Sequence, residues 1–244
     1  MFEATVSEGV LCVRRPRTRW LSTGWNGGFS EGSTAYNVSV PEGWPEVDLG
    51  TYAQRRREDA GFDHPGPTLF TGVALDHARR ARLTPVTVFA TAGLSNPAAL
   101  PMESGGDGDP LDAANEDDSP GTPGTVNLIV CTRQALDDAA MANLVAVAAE
   151  AKAATLLAET GFPGTTTDAV IVGCNPTGEP AQFSGSATEV GSAARVCVRD
   201  AIRVSLASRY SERSIPDSVA GAEHGHRTDR ESTVSPVRGD EGES

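Results

Sequence analysis

Lysine is nearly absent from this 244-residue chain: of its 20 basic residues only Lys152 is not arginine, against 33 Asp and Glu and a net charge of -13. That balance argues against nucleic acid and anionic membrane as partners, because the excess carboxylates are solvated rather than paired. A lysine-poor acidic surface suits a cytoplasm at high salt, where carboxylates hold water and ions, although GC-rich coding also depletes lysine. Cysteine is sparse. Cys12, Cys131, Cys174 and Cys197 are widely spaced and three lie inside apolar runs, so no CxxC or disulfide framework is visible and they read as buried, reduced thiols of a cytoplasmic protein. The N-terminus has no basic segment leading into an apolar one, which argues against a signal peptide. Residues 139–149, the longest apolar run, are too few to span a bilayer and are followed by Glu150 and Lys152. No GxSxG elbow, Walker-type loop or GxGxxG occurs, which leaves α/β-hydrolase, P-loop and Rossmann readings without support. Of the four histidines, His224 and His226 lie in the tail, and His77 is expected on a helix flank; no metal site is expected.

With 39% hydrophobic residues the chain can bury one sizeable core, so a single domain over residues 1–212 is expected, followed by a tail at 213–244. The tail, with almost no large apolar side chains, is expected to stay mobile, and the acidic, Gly- and Pro-rich stretch 103–123 to be a disordered insertion. Residues 41–67, with Trp44, Tyr52 and an RRRED cluster, read as a partly ordered excursion with one short helix. β-Branched runs at 10–14, 35–40, 68–72, 86–91, 125–131 and 168–174 read as strands. Helical spacing is present at 73–83, from about 134 to 159, and at 188–210. The alternation predicts an α/β or α+β layered domain, a mixed sheet packed by helices.

The second helix carries Met141, Val145, Ala148 and Leu156 on one stripe, with Ala, Leu and Val over most of its other side, so it is expected to be buried nearly all round. Lys152 falls in that stripe, and Glu150 is turned roughly 200° away, so each charge needs its own partner. Directly after this helix comes Gly164-Thr165-Thr166-Thr167-Asp168, then the apolar strand start Ala169-Val170-Ile171-Val172. Hydroxyls, backbone amides and a carboxylate thus gather where a helix ends and a strand begins, a common way to build a small-molecule site. The short link between them predicts that Lys152 reaches Asp168. Other polar turns are less specific: Ser22-Thr23-Gly24-Trp25-Asn26-Gly27-Gly28 either cradles an anion or merely connects strands, and Ser95 or Asn96 suits a helix cap.

In order along the chain, LSTGWNGG (21–28) with Asn37, TLFTG (68–72), ATAGLSN (90–96), GTVNLIV (124–130), EAKAATL (150–156), GTTTDAVIV (164–172) and FSGSATEVGSAARVCVRDA (183–201) resemble the adenosylcobinamide amidohydrolase family. The resemblance covers roughly residues 10–205. It departs from the family's usual Ala-Thr-Gly-Thr ahead of the Thr-Asp pair, where this chain has Pro163-Gly164-Thr165-Thr166. It implies hydrolysis of the amide that joins the aminopropanol arm to a corrin propionate, a step of corrinoid salvage, with no cofactor because the cobalt arrives in the substrate. For that chemistry Asp168 is the first choice as general base or leaving-amine anchor, Lys152 as electrostatic partner, and Thr166 or Thr125 as nucleophile. Ser22, Thr23, Asn26, Gly27, Gly28, Asn37, Thr91, Gly93, Asn96, Asn127, Glu150 and Thr167 are the candidate substrate-binding residues. Two alternatives stay open: a non-catalytic corrinoid or nucleotide binder built on the same loops, and a structural salt bridge between Lys152 and Glu150.

Overall fold

The computed structural model describes residues 1–41, 48–102, 125–222, 224–230 and 232–237. In chain order come β1 (Glu3–Ser7), β2 (Val10–Ser22), β3 (Gly28–Ser39), α1 (Leu49–Asp59), β4 (Thr68–Thr71), a 3-10 turn (Leu75–His77), β5 (Arg79–Leu83), β6 (Val86–Thr91), β7 (Pro97–Ala99) and β8 (Asn127–Thr132). They are followed by β9 (Ala135–Leu136), α2 (Asp138–Thr160), β10 (Gly164–Thr165), β11 (Ala169–Cys174), β12 (Pro180–Ala181), α3 (Glu189–Arg209) and β13 (His226–Arg227). The main sheet is mixed, in the order β4-β3-β2-β11-β8-β6-β5 with β1 on β2; β11 and β8 are parallel, while β2 and β6 flank them antiparallel. The expected α/β architecture is therefore present.

Alternation along the strands sorts the side chains into three cores. Val88 and Ala90 of β6, Leu128 and Val130 of β8, and Val170 and Val172 of β11 face α2 and α3. The intervening Phe89, Ile129, Cys131 and Ile171 face Leu11, Val13, Trp20, Ala35 and Leu69 of the other half of the same sheet. Cys12, Tyr36 and Val38 point the opposite way, toward Tyr52 and Ala60 at α1. The sheet has folded over on itself along β2, whose pairing with β3 shifts register between Arg14 and Thr18. Layers run α2/α3, sheet, sheet, α1. The fold-over is bridged directly, since Asn127 Nδ2 on β8 donates to the Phe70 carbonyl on β4 at 2.8 Å although the ladder separates those strands by four steps.

Two expectations need correction, and the tail is in part attached. Residues 73–83 do not form a helix: beyond the short turn at Leu75–His77 they form β5, a hairpin partner of β6 with Leu83 opposite Val86. Helix α2 is not buried all round, for Met141, Leu144, Ala148 and Leu156 are buried while Ala142, Asn143, Ala146, Ala154 and Leu157 are exposed. By length and composition α2 is apolar enough to cross a membrane, yet half of that apolar window is buried inside the protein. The tail is not without attachment: β13 pairs in parallel with β7, opposite the edge where β10 pairs. The short helix expected within 41–67 is α1, whereas Trp44 and the insertion at 103–123 lie outside the described residues.

Candidate active site

One end of the main sheet collects the last residues of β2 and β6 and the first of β8 and β11, because Thr91 is opposite Asn127, Asn127 beside Ala169, and Ser22 opposite Ile171. Asp168 stands just before β11, where α2 brings Lys152 beneath it. Its Oδ2 accepts from the Lys152 ammonium and from Thr165 N at 3.0 Å, and its Oδ1 from Val126 N at 2.9 Å and from the Thr165 hydroxyl. Four donors occupy the roughly four lone-pair positions a carboxylate has. Both charged side chains are 11% exposed, so the pair is enclosed. Little room is left above it: a Cβ at Gly164 would be 2.6 Å from Asp168 Oδ2 and 2.9 Å from Lys152 Nζ, so the pair would have to shift.

The clamp pins a strip of hydroxyls. Thr166 N donates to the Asn96 carbonyl at 3.2 Å, and Asn96 Nδ2 donates to the hydroxyls of Thr166 at 2.6 Å and Thr167 at 3.3 Å. Thr125 and Thr167 share a 2.8 Å hydroxyl contact. Asn96 and Thr125 are buried beneath this strip, whereas Thr166 and Thr167 are exposed residues whose hydroxyls turn inward to Asn96 and Thr125. Asn96 does not cap a helix here. Gly93 closes the far side, its N–H donating to the Thr125 carbonyl at 3.3 Å.

A second, wholly buried cluster lies at the mouth of the sheet-sheet interface. Asn37 Nδ2 donates to the Thr91 hydroxyl at 2.9 Å, and Asn127 Nδ2 to Asn37 Oδ1 at 2.9 Å. Asn127 Oδ1 is buried with no hydrogen-bond partner among the described residues. Beside it, Thr23 prolongs the ladder onto β11, its N–H donating to the Val170 carbonyl and its hydroxyl accepting from Val170 N, both at 2.9 Å. Ser22 is buried with its hydroxyl accepting from Gly24 N at 3.1 Å. Asn26 at φ 47° and Gly28 at φ 101° turn the chain in left-handed geometry, and a Cβ on Gly27 would meet the Ser22 carbonyl at 2.3 Å. This turn borders an open groove of about 290 Å³ that also holds Trp25 and Phe29 and is closed on the other side by residues 65–68.

Every candidate but one is thus placed at this end of the sheet. Glu150 is the exception: it lies on the outer side of α2, 3.5 Å from Arg195, away from the other candidates, and Lys152 pairs with Asp168 rather than with it. Trp25 and Phe29 were missed, although an aromatic in a glycine-rich turn is itself a signal; they are 42% and 48% exposed. Thr165 was missed as the residue that grips Asp168 with both its N–H and its hydroxyl. His77 is elsewhere, its Nδ1 3.0 Å from the Ser208 hydroxyl, with its pKa lowered by burial and by Arg209, Arg79 and Arg213. All four cysteines are free and buried, and burial pushes their thiols up, Cys197 to about 11. Among the described residues no three His, Cys, Asp or Glu side chains gather as metal ligands.

Residues 2–214 match the family described as adenosylcobinamide amidohydrolase. The chain belongs to that family. A Halobacterium salinarum adenosylcobinamide amidohydrolase is 56% identical over 236 residues, covering 96% of this chain and 99% of that protein. A Methanosarcina mazei protein of the same name is 27% identical over 200 residues, 78% of this chain and 90% of its own length. Among solved structures, a Pyrococcus horikoshii protein is a remote likeness, 12% identical with a TM-score of 0.39 over 84% of this chain and 78% of that one. The adenosylcobinamide amidohydrolase match contains every candidate residue described above and ends at residue 214, at the start of the tail.

Proposed function

We propose that this chain hydrolyses the amide between the aminopropanol arm and a corrin propionate of adenosylcobinamide, adding water to give adenosylcobyric acid and 1-amino-2-propanol in corrinoid salvage. Family membership across residues 2–214 supports the reaction. The observation that carries the site is the pair of exposed threonines, Thr166 and Thr167, whose hydroxyls are oriented by buried Asn96 and whose loop is pinned by the Asp168–Lys152 clamp. Amide hydrolysis needs an oriented nucleophile and donors for the developing oxyanion. Thr166, an exposed residue whose hydroxyl Asn96 holds, is best placed to bind the scissile amide or the attacking water, and Thr125 holds the neighbouring Thr167. Asp168, its lone pairs taken by four donors, acts as a positioning residue rather than as the base, and Lys152 acts through it. The groove beside Trp25 and Phe29 offers flat apolar surface to the corrin face. Cobalt enters within the substrate, and the acidic surface suits a cytoplasm rich in salt.

The saturation of Asp168 is also what a non-catalytic corrinoid binder would tolerate. Incubating the purified chain in molar KCl with adenosylcobinamide in ¹⁸O-water and weighing the products separates the two. Adenosylcobyric acid carrying one ¹⁸O is the expected result; recovery of intact adenosylcobinamide alone overturns the hydrolase reading in favour of binding.

A further inference from the structure

We propose that residues 224–228 of the tail are a positioning element of the active site, a strap that clasps residues 95–99 and thereby holds Asn96 against Thr166 and Thr167. The inference rests on the hydrolase reading above for its kinetic consequence, though not for its geometry. The strap is tied at both ends by backbone bonds: His224 N donates to the Ser95 carbonyl and Thr228 N to the Ala99 carbonyl, both at 2.9 Å. Between them His226 lies beside Ala98 and Arg227 beside Ala99 in parallel register. Ala98 is at the same time opposite Gly164 on its other edge, and Pro97 opposite Thr165. The small sheet β10-β7-β13 therefore runs from the loop that grips Asp168, across the segment carrying Asn96, to the strap.

β7 has three residues, and a strand that short is weakly held by one neighbour of two residues. The strap gives it a second neighbour, and the attachment at Ser95 is adjacent in sequence to the residue that orients the hydroxyls of Thr166 and Thr167. A tight turn leads into it: Ala222 N donates to the Val219 carbonyl at 3.2 Å, and a Cβ on Gly225 would be 2.4 Å from that same carbonyl oxygen. The family match stops at residue 214, so the strap lies outside what the family as a whole shares.

Proline removes a backbone donor without shortening the chain, so the full-length double variant His224→Pro/Thr228→Pro cuts both ties, while His224→Ala/Thr228→Ala keeps both N–H groups and deletes the side chains. The proline variant is expected to lose about tenfold or more in kcat on adenosylcobinamide with KM within about twofold, the scale on which small misplacements act. Its melting temperature is expected to stay within about 4 °C of wild type, since the three cores lie before the strap. The alanine variant is expected to keep most of the wild-type kcat. Wild-type kcat in the proline variant, or an equal loss in the alanine variant, overturns the proposal. Hydrogen exchange at Thr166 N, which donates to the Asn96 carbonyl, reads the geometry without turnover. It should accelerate about tenfold or more in the proline variant, and unchanged exchange there overturns the strap. A wild-type chain that releases no adenosylcobyric acid, together with that acceleration in the proline variant, would sink the hydrolase reading and leave the strap standing.

Discussion

Replacing Lys152 with Met removes the ammonium from a pair whose side chains are each 11% exposed, and leaves the Asp168 carboxylate facing a neutral thioether. Breaking one side of a buried ion pair costs about 3–5 kcal/mol, most of it from the charge left without compensation. Asp168 keeps three donors, from Val126 N, Thr165 N and the Thr165 hydroxyl, which places the cost near the lower end, about 3 kcal/mol. For a domain of this size about 2–4 °C of melting temperature is lost per kcal/mol, so Lys152→Met should melt about 6–12 °C below wild type. Circular dichroism melts in molar KCl read this directly. Asp168→Asn should cost a similar amount because it strands the ammonium instead, and the double variant should lose clearly less than the sum of the two, by about 1.5 kcal/mol or more. Turnover measured well below the variants' melting temperatures should fall about a hundredfold for Lys152→Met as the hydroxyl strip loses its anchor. A shift under 2 °C, or strict additivity in the double variant, would refute the clamp. A variant that melts like wild type and still loses turnover would move Lys152 from positioning to direct contact with the reacting atoms.

Gly164→Ala puts a methyl 2.6 Å from Asp168 Oδ2 and 2.9 Å from Lys152 Nζ, so the pair must part or the loop must rise. A loss of about 1–3 kcal/mol by denaturant unfolding, with lowered turnover, is expected; unchanged stability would mean that the contact is not tight. For the whole surface, 33 acidic residues against 20 basic ones predict a melting temperature that climbs steeply from low salt to molar KCl, as the screening length drops from about 30 Å at 0.01 M to about 3 Å at 1 M. A flat profile would sink the high-salt reading.

Strands β6, β8 and β11 were legible because each is a continuous β-branched run buried on both faces, and the Lys152–Asp168 contact because a short link constrains where a helix and the next strand can lie. The error at 73–83 is of another kind. Ala74, Ala78 and Ala81, with Leu75 beside them, satisfy helical spacing locally, but long-range pairing with β6 decides the matter, and no local pattern reports it. The same limit hid the continuation of β2 past Pro16, where a bulge carries the strand through four arginines. Asn37, Thr91 and Asn127 were named as single residues, yet their meeting depends on the sheet folding back over β2, which joins positions up to 90 residues apart.

Lys152, the chain's sole lysine, sits under residues 164–168 with its amine tied to Asp168. An amine-reactive acylating reagent therefore meets Lys152 as the one side-chain amine, 11% exposed and tied to Asp168, so it should react slowly and chiefly when the loop rises. Mass spectrometry of the slow adduct would count those openings molecule by molecule, an intrinsic single-site reporter of loop motion that needs no engineered label.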